Sequence, residues 1–356
     1  MPMKDSGIQS FDFFVQMHIT ERCNLACTHC YQEGRSMREL SFDDIKKAVK
    51  HIADTIDAWS DTYDIPFAPS FNVTGGEPLL RDDLGDILRV ISDQGFDIFL
   101  LTNGILIDGP IAEMLAGVPI RGVQVSLEGP EDIHDIIRGK GSFSSALRGV
   151  HHLLDAGTIV TLNMTLSELN AEHLPELITL AEDLGVQRIG FSRLVPYGRG
   201  FSLVGKMLDK TRLERIYRNV LSYRSPSLEI ATGDPVAAQL RAGDDIDLKP
   251  DAHPLGGCAA GISGITILPD GTLTPCRRLG KPIGNIMTDS LREVWANSDI
   301  LNALRTREMY RGKCRDCARW PQCRGCRAIA YAYALSQGSD DFLSEDPQCF
   351  IEDYKG

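Results

Sequence analysis

Between residues 11 and 223 the chain alternates short β-rich runs with helical patterns, which narrows the possible folds more than any other feature. The β-rich runs are FDFFVQMHI (11–19), SFNVTGGEP (70–78), FDIFLLTNG (96–104), GVQVSLEG (122–129), IVTLNMT (159–165) and RIGFSRL (188–194). In 142–156 the apolar residues Phe143, Ala146, Leu147, Val150, Leu153 and Leu154 follow i, i+3, i+4, i+7 spacing, and Gly157 supplies the stop. Leu84, Ile87, Leu88 and Ile91 repeat the pattern before Gly95, and Leu174, Leu177, Ile178, Ala181 and Leu184 before Gly185. A last helix is expected over 209–223. About six β-then-α units imply a parallel sheet with helices outside, either open or curled into a barrel. In both forms the site lies at the C-terminal ends of the strands. The chemically suggestive residues fall there: Cys23, Cys27 and Cys30 after the first run, Gly75, Gly76 and Glu77 after the second, then Asn103, Ser126 with Glu128, Asn163 and Arg193.

The rest of the chain is organised differently. Residues 232–257 are rich in Gly, Pro and Asp and read as a linker, with room for a short helix. Residues 258–356 hold seven of the ten cysteines, and none lies between 31 and 257. Within this part, 262–276 reads as a hairpin turning at Pro269-Asp270-Gly271. A net charge of −12 argues against non-specific nucleic-acid binding, which needs a basic surface. No apolar run is long enough for a membrane helix, and the N-terminus lacks a signal-peptide pattern. A cytoplasmic protein is therefore expected, with no membrane or nucleic-acid partner. In that reducing compartment, clustered cysteines read as metal ligands before disulfides.

Cys23, Cys27 and Cys30 have C-x3-C-x2-C spacing. Three thiolates leave one iron of a [4Fe–4S] cluster without a protein ligand, and that iron can bind a small molecule. CNLACTHC (23–30) resembles the signature of the radical SAM superfamily, and TGGEP (74–78) resembles that family's S-adenosylmethionine (SAM) motif. TNG (102–104), SLEG (126–129) and NMT (163–165) resemble its polar strand ends. The resemblance covers 11–223 and implies an α/β fold, a partial (β/α)6 barrel, over 1–231. It implies a catalytic cluster on Cys23, Cys27 and Cys30. It also implies SAM contacts from His29, Thr74, Gly75, Gly76, Glu77, Pro78, Asn103, Ser126, Glu128, Asn163 and Arg193.

The second cysteine set is Cys258 and Cys276, then Cys314-x2-Cys317-x5-Cys323-x2-Cys326, then Cys349. Zinc would use four of these and leave three over. The pattern resembles the SPASM extension of many radical SAM enzymes, a small cysteine-rich domain with a hairpin and short helices, here 258–356. The resemblance implies two auxiliary iron–sulfur clusters, one on Cys258, Cys276 and Cys326 and one on Cys314, Cys317, Cys323 and Cys349. The usual C-x3-C is C-x2-C here. The fourth position of the first cluster is open, or filled by another side chain or by substrate.

The resemblance implies reductive cleavage of SAM to a 5′-deoxyadenosyl radical, followed by hydrogen-atom abstraction. The expected substrate is a ribosomally made peptide or protein side chain. The alternative is a small molecule or tetrapyrrole, as in haem-pathway decarboxylation, which the tail CRGCRAIAYAYA also resembles. TPCRR (274–278) lacks the Asp that sulfatase-maturing relatives carry after this cysteine. Its Arg277 and Arg278 could meet a substrate carboxylate. Expected partners are the substrate, an electron donor such as flavodoxin or ferredoxin, and a separate peptide-recognition protein, since only 22 residues precede Cys23. A non-enzymatic zinc or iron–sulfur protein is the outside reading. His18 is expected in the core, and His134, His151 and His152 on the surface.

Overall fold

The computed structural model describes residues 10–33, 38–241 and 256–351. Its ten strands are β1 (Phe11–His18), β2 (Phe67–Thr74), β3 (Asp97–Thr102), β4 (Gly122–Ser126), β5 (Val160–Leu166), β6 (Arg188–Arg193), β7 (Glu229–Ala231), β8 (Gly264–Ile267), β9 (Thr272–Thr274) and β10 (Gly284–Asn285). They form one sheet in the order β10-β9-β8-β1-β2-β3-β4-β5-β6-β7. From β1 to β7 every pairing is parallel.

Each central strand divides its residues by a period of two. Ile98 and Leu100, Val123 and Val125, Val160, Leu162 and Met164, and Ile189 and Phe191 are buried in the main hydrophobic core with apolar residues of the helices. The alternate residues Leu101, Gln124, Asn163 and Ser192 face the inside of the curved sheet, where they line its cavities. The outward set is apolar and the inward set largely polar, so one strand register serves both core and site.

The expected helices over 84–91, 142–156, 174–184 and 209–223 form as Leu84–Ser92, Ser142–Asp155, Leu174–Leu184 and Lys210–Ser222. Gly185 ends the third of these at φ +72°, a left-handed conformation that favours glycine. The described part of the expected linker, 232–241, holds a 3-10 turn (Pro235–Ala237) and a short helix (Ala238–Arg241), and the rest as far as 255 lies outside the described residues.

Two features add to the expected architecture. β7 adds a seventh parallel strand beyond β6. The expected hairpin forms as β8 and β9, turning through Gly271, but it is not confined to a separate small domain. β8 pairs in parallel with β1, from Phe14–Gly264 to Met17–Ile267, so the cysteine-rich part extends the sheet of the barrel.

Candidate active site

The loop after β1 carries Cys23, Cys27 and Cys30, and backbone contacts clamp it. Gly76 N–H donates to Thr20 O at 2.8 Å and Glu77 N–H to Arg22 O at 2.8 Å. A Cβ on Gly76 would collide with the Arg22 carbonyl oxygen, so the second glycine of TGGEP is required for the two loops to pack. On the other side, Gly200 N–H donates to Cys30 O at 2.8 Å, and a Cβ on Gly198 would collide with Tyr31 O. Thr28 N–H donates to Ile137 O at 2.9 Å. The three cysteines line one cleft of about 930 Å³, counting its solvent-open part.

His29, Thr74, Gly75, Gly76, Asn103, Ser126 and Asn163 line the same cleft, and Gly75, Gly76, Asn103, Ser126 and Asn163 are among the residues named by the strand-end argument. Glu77 and Pro78 are buried behind it. The Glu77 carboxylate accepts from Thr102 Oγ1 at 2.7 Å, Asn103 N–H at 2.8 Å and Leu79 N–H at 3.2 Å. Burial nevertheless raises its pKa above the usual carboxylate range. Glu77 therefore holds the Asn103 loop, and Asn103 Nδ2 in turn donates to Asn24 Oδ1 at 2.8 Å inside the cysteine loop.

Glu128 is also buried. Its carboxylate meets Arg138 at 2.6 Å and His29 Nε2 at 3.4 Å, and accepts from Thr165 N–H at 2.9 Å. Burial alone would raise its pKa, but the Arg138 and His29 charges hold it well below the usual range. Arg138 lines the cleft and lies 3.8 Å from Cys27 Sγ. The sequence reading passed over it, because its only signal is an arginine ending a helix (Glu131–Arg138) beside the fourth strand end.

Two expectations are corrected here. Arg193 does not line the three-cysteine cleft. Its guanidinium is fully engaged by Asp234 at 2.6 Å and Asp346 at 2.8 Å, with Gln348 Oε1 at 3.1 Å, and it joins β6 to the C-terminal segment. It lines the second, deeper space inside the sheet together with Asp234. His134 is buried rather than on the surface, and its Nδ1 accepts from Glu128 N–H at 3.2 Å. His18 is in the core as expected, and burial, with the Arg277 charge, pushes its pKa down to about 3.

Cys314, Cys317, Cys323 and Cys349 line one space of about 380 Å³, counting its solvent-open part. Gln239 Nε2 reaches Cys323 Sγ at 3.5 Å and Cys349 Sγ at 3.4 Å. Around Arg278, Cys276 and Cys326 are near enough to interact with its charge, and Cys326 likewise feels Cys258. Burial pushes the Cys323 and Cys326 thiols up to about 12. Among the described residues no three His, Cys, Asp or Glu side chains converge tightly enough to hold a single metal ion. Cys23, Cys27 and Cys30 line one space and Cys314, Cys317, Cys323 and Cys349 another, and thiolates in sets of three and four are the donors that iron–sulfur clusters use.

A second space of about 1120 Å³, counted with its open part, lies inside the sheet and shares Leu101, Gln124, Asn163, Ser192, Arg277 and Arg278 with the first. It also reaches Cys326. The three-cysteine cleft thus adjoins a space that one cysteine of the C-terminal set, Cys326, also lines.

These features define a curved parallel α/β sheet with a three-cysteine loop at its strand ends and an iron–sulfur extension. Residues 17–181 match the radical SAM superfamily, and residues 258–327 match an iron–sulfur cluster-binding domain, SPASM. An AdoMet-dependent heme synthase from Methanosarcina barkeri is 30% identical, over 94% of this chain and 95% of that protein. The mycofactocin maturase MftC of Mycolicibacterium smegmatis is 29% identical, over 93% of this chain and 81% of the relative. The crystal structure of Streptococcus suis SuiB bound to S-adenosylmethionine superposes with a TM-score of 0.74 at 19% identity, covering 96% of this chain and 76% of that one. The chain belongs to the radical SAM superfamily and carries a SPASM domain. It is a radical SAM enzyme whose cofactors are SAM, a [4Fe–4S] cluster and auxiliary iron–sulfur clusters.

Proposed function

We propose that this enzyme oxidises a carboxylate-bearing tetrapyrrole, removing side-chain carboxyl groups as carbon dioxide. The observation that carries the reading is the interior space, which joins the three-cysteine cleft to Cys326 and contains Arg277 and Arg278. A substrate held there lies between the radical-forming site and an auxiliary site. The end-to-end likeness to an AdoMet-dependent heme synthase supports the same substrate class.

Cys23, Cys27 and Cys30 would hold a [4Fe–4S] cluster, which would supply the one-electron chemistry for cleaving SAM to methionine and a 5′-deoxyadenosyl radical. The protein's own part is positional. The clamps at Gly76 and Gly200 fix the cysteine loop, and Glu77 fixes the Asn103 loop. Thr74, Ser126 and Asn163 offer polar groups to SAM, and the buried Glu128–Arg138 pair fixes His29 beside it. For each carboxylate released, one hydrogen atom goes to the 5′-deoxyadenosyl radical, carbon dioxide leaves, one electron would pass to an auxiliary iron–sulfur cluster, and the side chain becomes an alkene.

The test is anaerobic incubation of the iron-loaded enzyme with SAM, dithionite and iron coproporphyrin III, a propionate-bearing porphyrin. Decarboxylated porphyrin forming in step with 5′-deoxyadenosine is the expected outcome. Nucleoside formation with the porphyrin unchanged would refute the substrate assignment. The likeness to a mycofactocin maturase favours a second reading, modification of a ribosomally made peptide aided by a recognition protein. A precursor peptide that turns over where the porphyrin does not would establish it.

A further inference from the structure

The arginines lining the two joined spaces are Arg138, Arg188, Arg193, Arg199, Arg277 and Arg278. Arg138 is paired with Glu128, Arg188 with Glu229, and Arg193 with Asp234 and Asp346. Arg199 is exposed at the rim. Arg277 and Arg278 are different. They line both spaces, and among the described residues neither has a carboxylate partner. Asp234 is the only acidic residue lining either space among the described residues, and it is held by Arg193 and by Tyr217 OH at 2.8 Å. Arg277 packs its guanidinium over the Tyr31 ring at 5.5 Å from the centroid, which steadies it and leaves its fork open to the interior. Arg278 Nε is buried without a hydrogen-bond partner.

A buried guanidinium with unused donors is costly unless a ligand completes it. Arg277 and Arg278 are each half-buried, and although Cys276, Cys326 and Asp234 lie near the Arg278 charge, none forms an ion pair with either guanidinium among the described residues, so the two side by side form a receptor for an anion. Guanidinium geometry matches a carboxylate through paired N–H donors. We propose that Arg277 and Arg278 together anchor one carboxylate of the substrate, which sets the side chain presented to the SAM cleft. This rests on the tetrapyrrole reading and deepens it. A porphyrin with several acidic arms would be gripped by one arm while another reacts.

The experiment uses anaerobic, iron-loaded wild type, R277K, R278K and the R277A/R278A double variant. Each is titrated with iron coproporphyrin III and with its tetramethyl ester by the Soret band, and with SAM. The wild type should bind the acid more tightly than the ester. Each lysine variant should bind the acid roughly tenfold more weakly, and the double variant about a hundredfold. Ester affinity, SAM affinity and iron content should be the same in all four proteins. Equal losses for acid and ester, unchanged acid binding, or a loss that falls on SAM or iron would each overturn the anchor while leaving the tetrapyrrole reading standing. A wild type that binds neither porphyrin would overturn that reading, and the anchor with it.

Discussion

Single residues make the site by what they exclude or complete. Gly76 is the clearest case: any side chain there meets the Arg22 carbonyl, a backbone atom that cannot move aside cheaply. Gly76→Ala should therefore displace the cysteine loop. An iron count should fall by roughly one cluster, about four irons, with auxiliary iron retained; an unchanged count would refute the clamp. Glu77 acts differently. Glu77→Ala leaves the Thr102 hydroxyl and the Asn103 and Leu79 amides without their acceptor, at a cost of about 1–3 kcal/mol for each group left buried and unpaired. Weaker SAM binding with iron near normal is the expected result, read by equilibrium dialysis and iron assay. His134 adds a pH dependence, because burial, then the Arg138 charge, pushes its pKa from 6.5 to about 4. The folded state holds it neutral while the unfolded chain takes up a proton below pH 6.5, so its stabilising contribution is complete above that pH and lost as pH falls toward 4. Denaturation at pH 7 and pH 5 should differ more for the wild type than for His134→Gln; equal differences would exclude this histidine as a cause.

At the level of elements, strand-end logic worked because a parallel sheet has only one chemically useful rim. From alternation alone it pointed to Gly75, Gly76, Asn103, Ser126 and Asn163, which line the cleft. It failed at Arg193, since position along a strand does not say which face the last residue takes or what later chain lies beyond that face. Asp234 and Asp346 are 41 and 153 residues away, and no local pattern announces the pairing. The helix Phe42–Tyr63 was legible and went unclaimed: Ser41 caps it by accepting from Asp44 N–H, and Ile45, Val49, Ile52 and Ile56 form its buried stripe. The Arg193 junction has a measurable consequence. Asp346 also accepts from Cys326 N–H at 2.8 Å, so the ion pair positions a cysteine of the auxiliary region. Arg193→Met should strand two buried carboxylates, destabilise the fold by about 3–5 kcal/mol and reduce auxiliary iron. A small loss of stability with full iron content would contradict that role.

For the molecule as a whole, the two cysteine regions are distinct in sequence but continuous in space. β8 pairs with β1, and the β1 strand leads directly into the three-cysteine loop. Whether the sites assemble together or independently therefore depends on which contacts carry the load. Cys314 lines the four-cysteine space, whereas the clamps on the barrel loop come from the ends of β2 and the segment after β6. None of those clamps involves the auxiliary cysteines, so the sites should load separately. If each set holds a cubane, the wild type carries roughly twelve irons and Cys314→Ala about eight. With SAM and dithionite, that variant should still release 5′-deoxyadenosine, and the Cys23/Cys27/Cys30→Ala variant should keep about eight irons and release none. Loss of all iron in Cys314→Ala would mean that the shared sheet makes loading cooperative. Unchanged iron would remove Cys314 from the ligand set and leave the four-cysteine space to some other occupant.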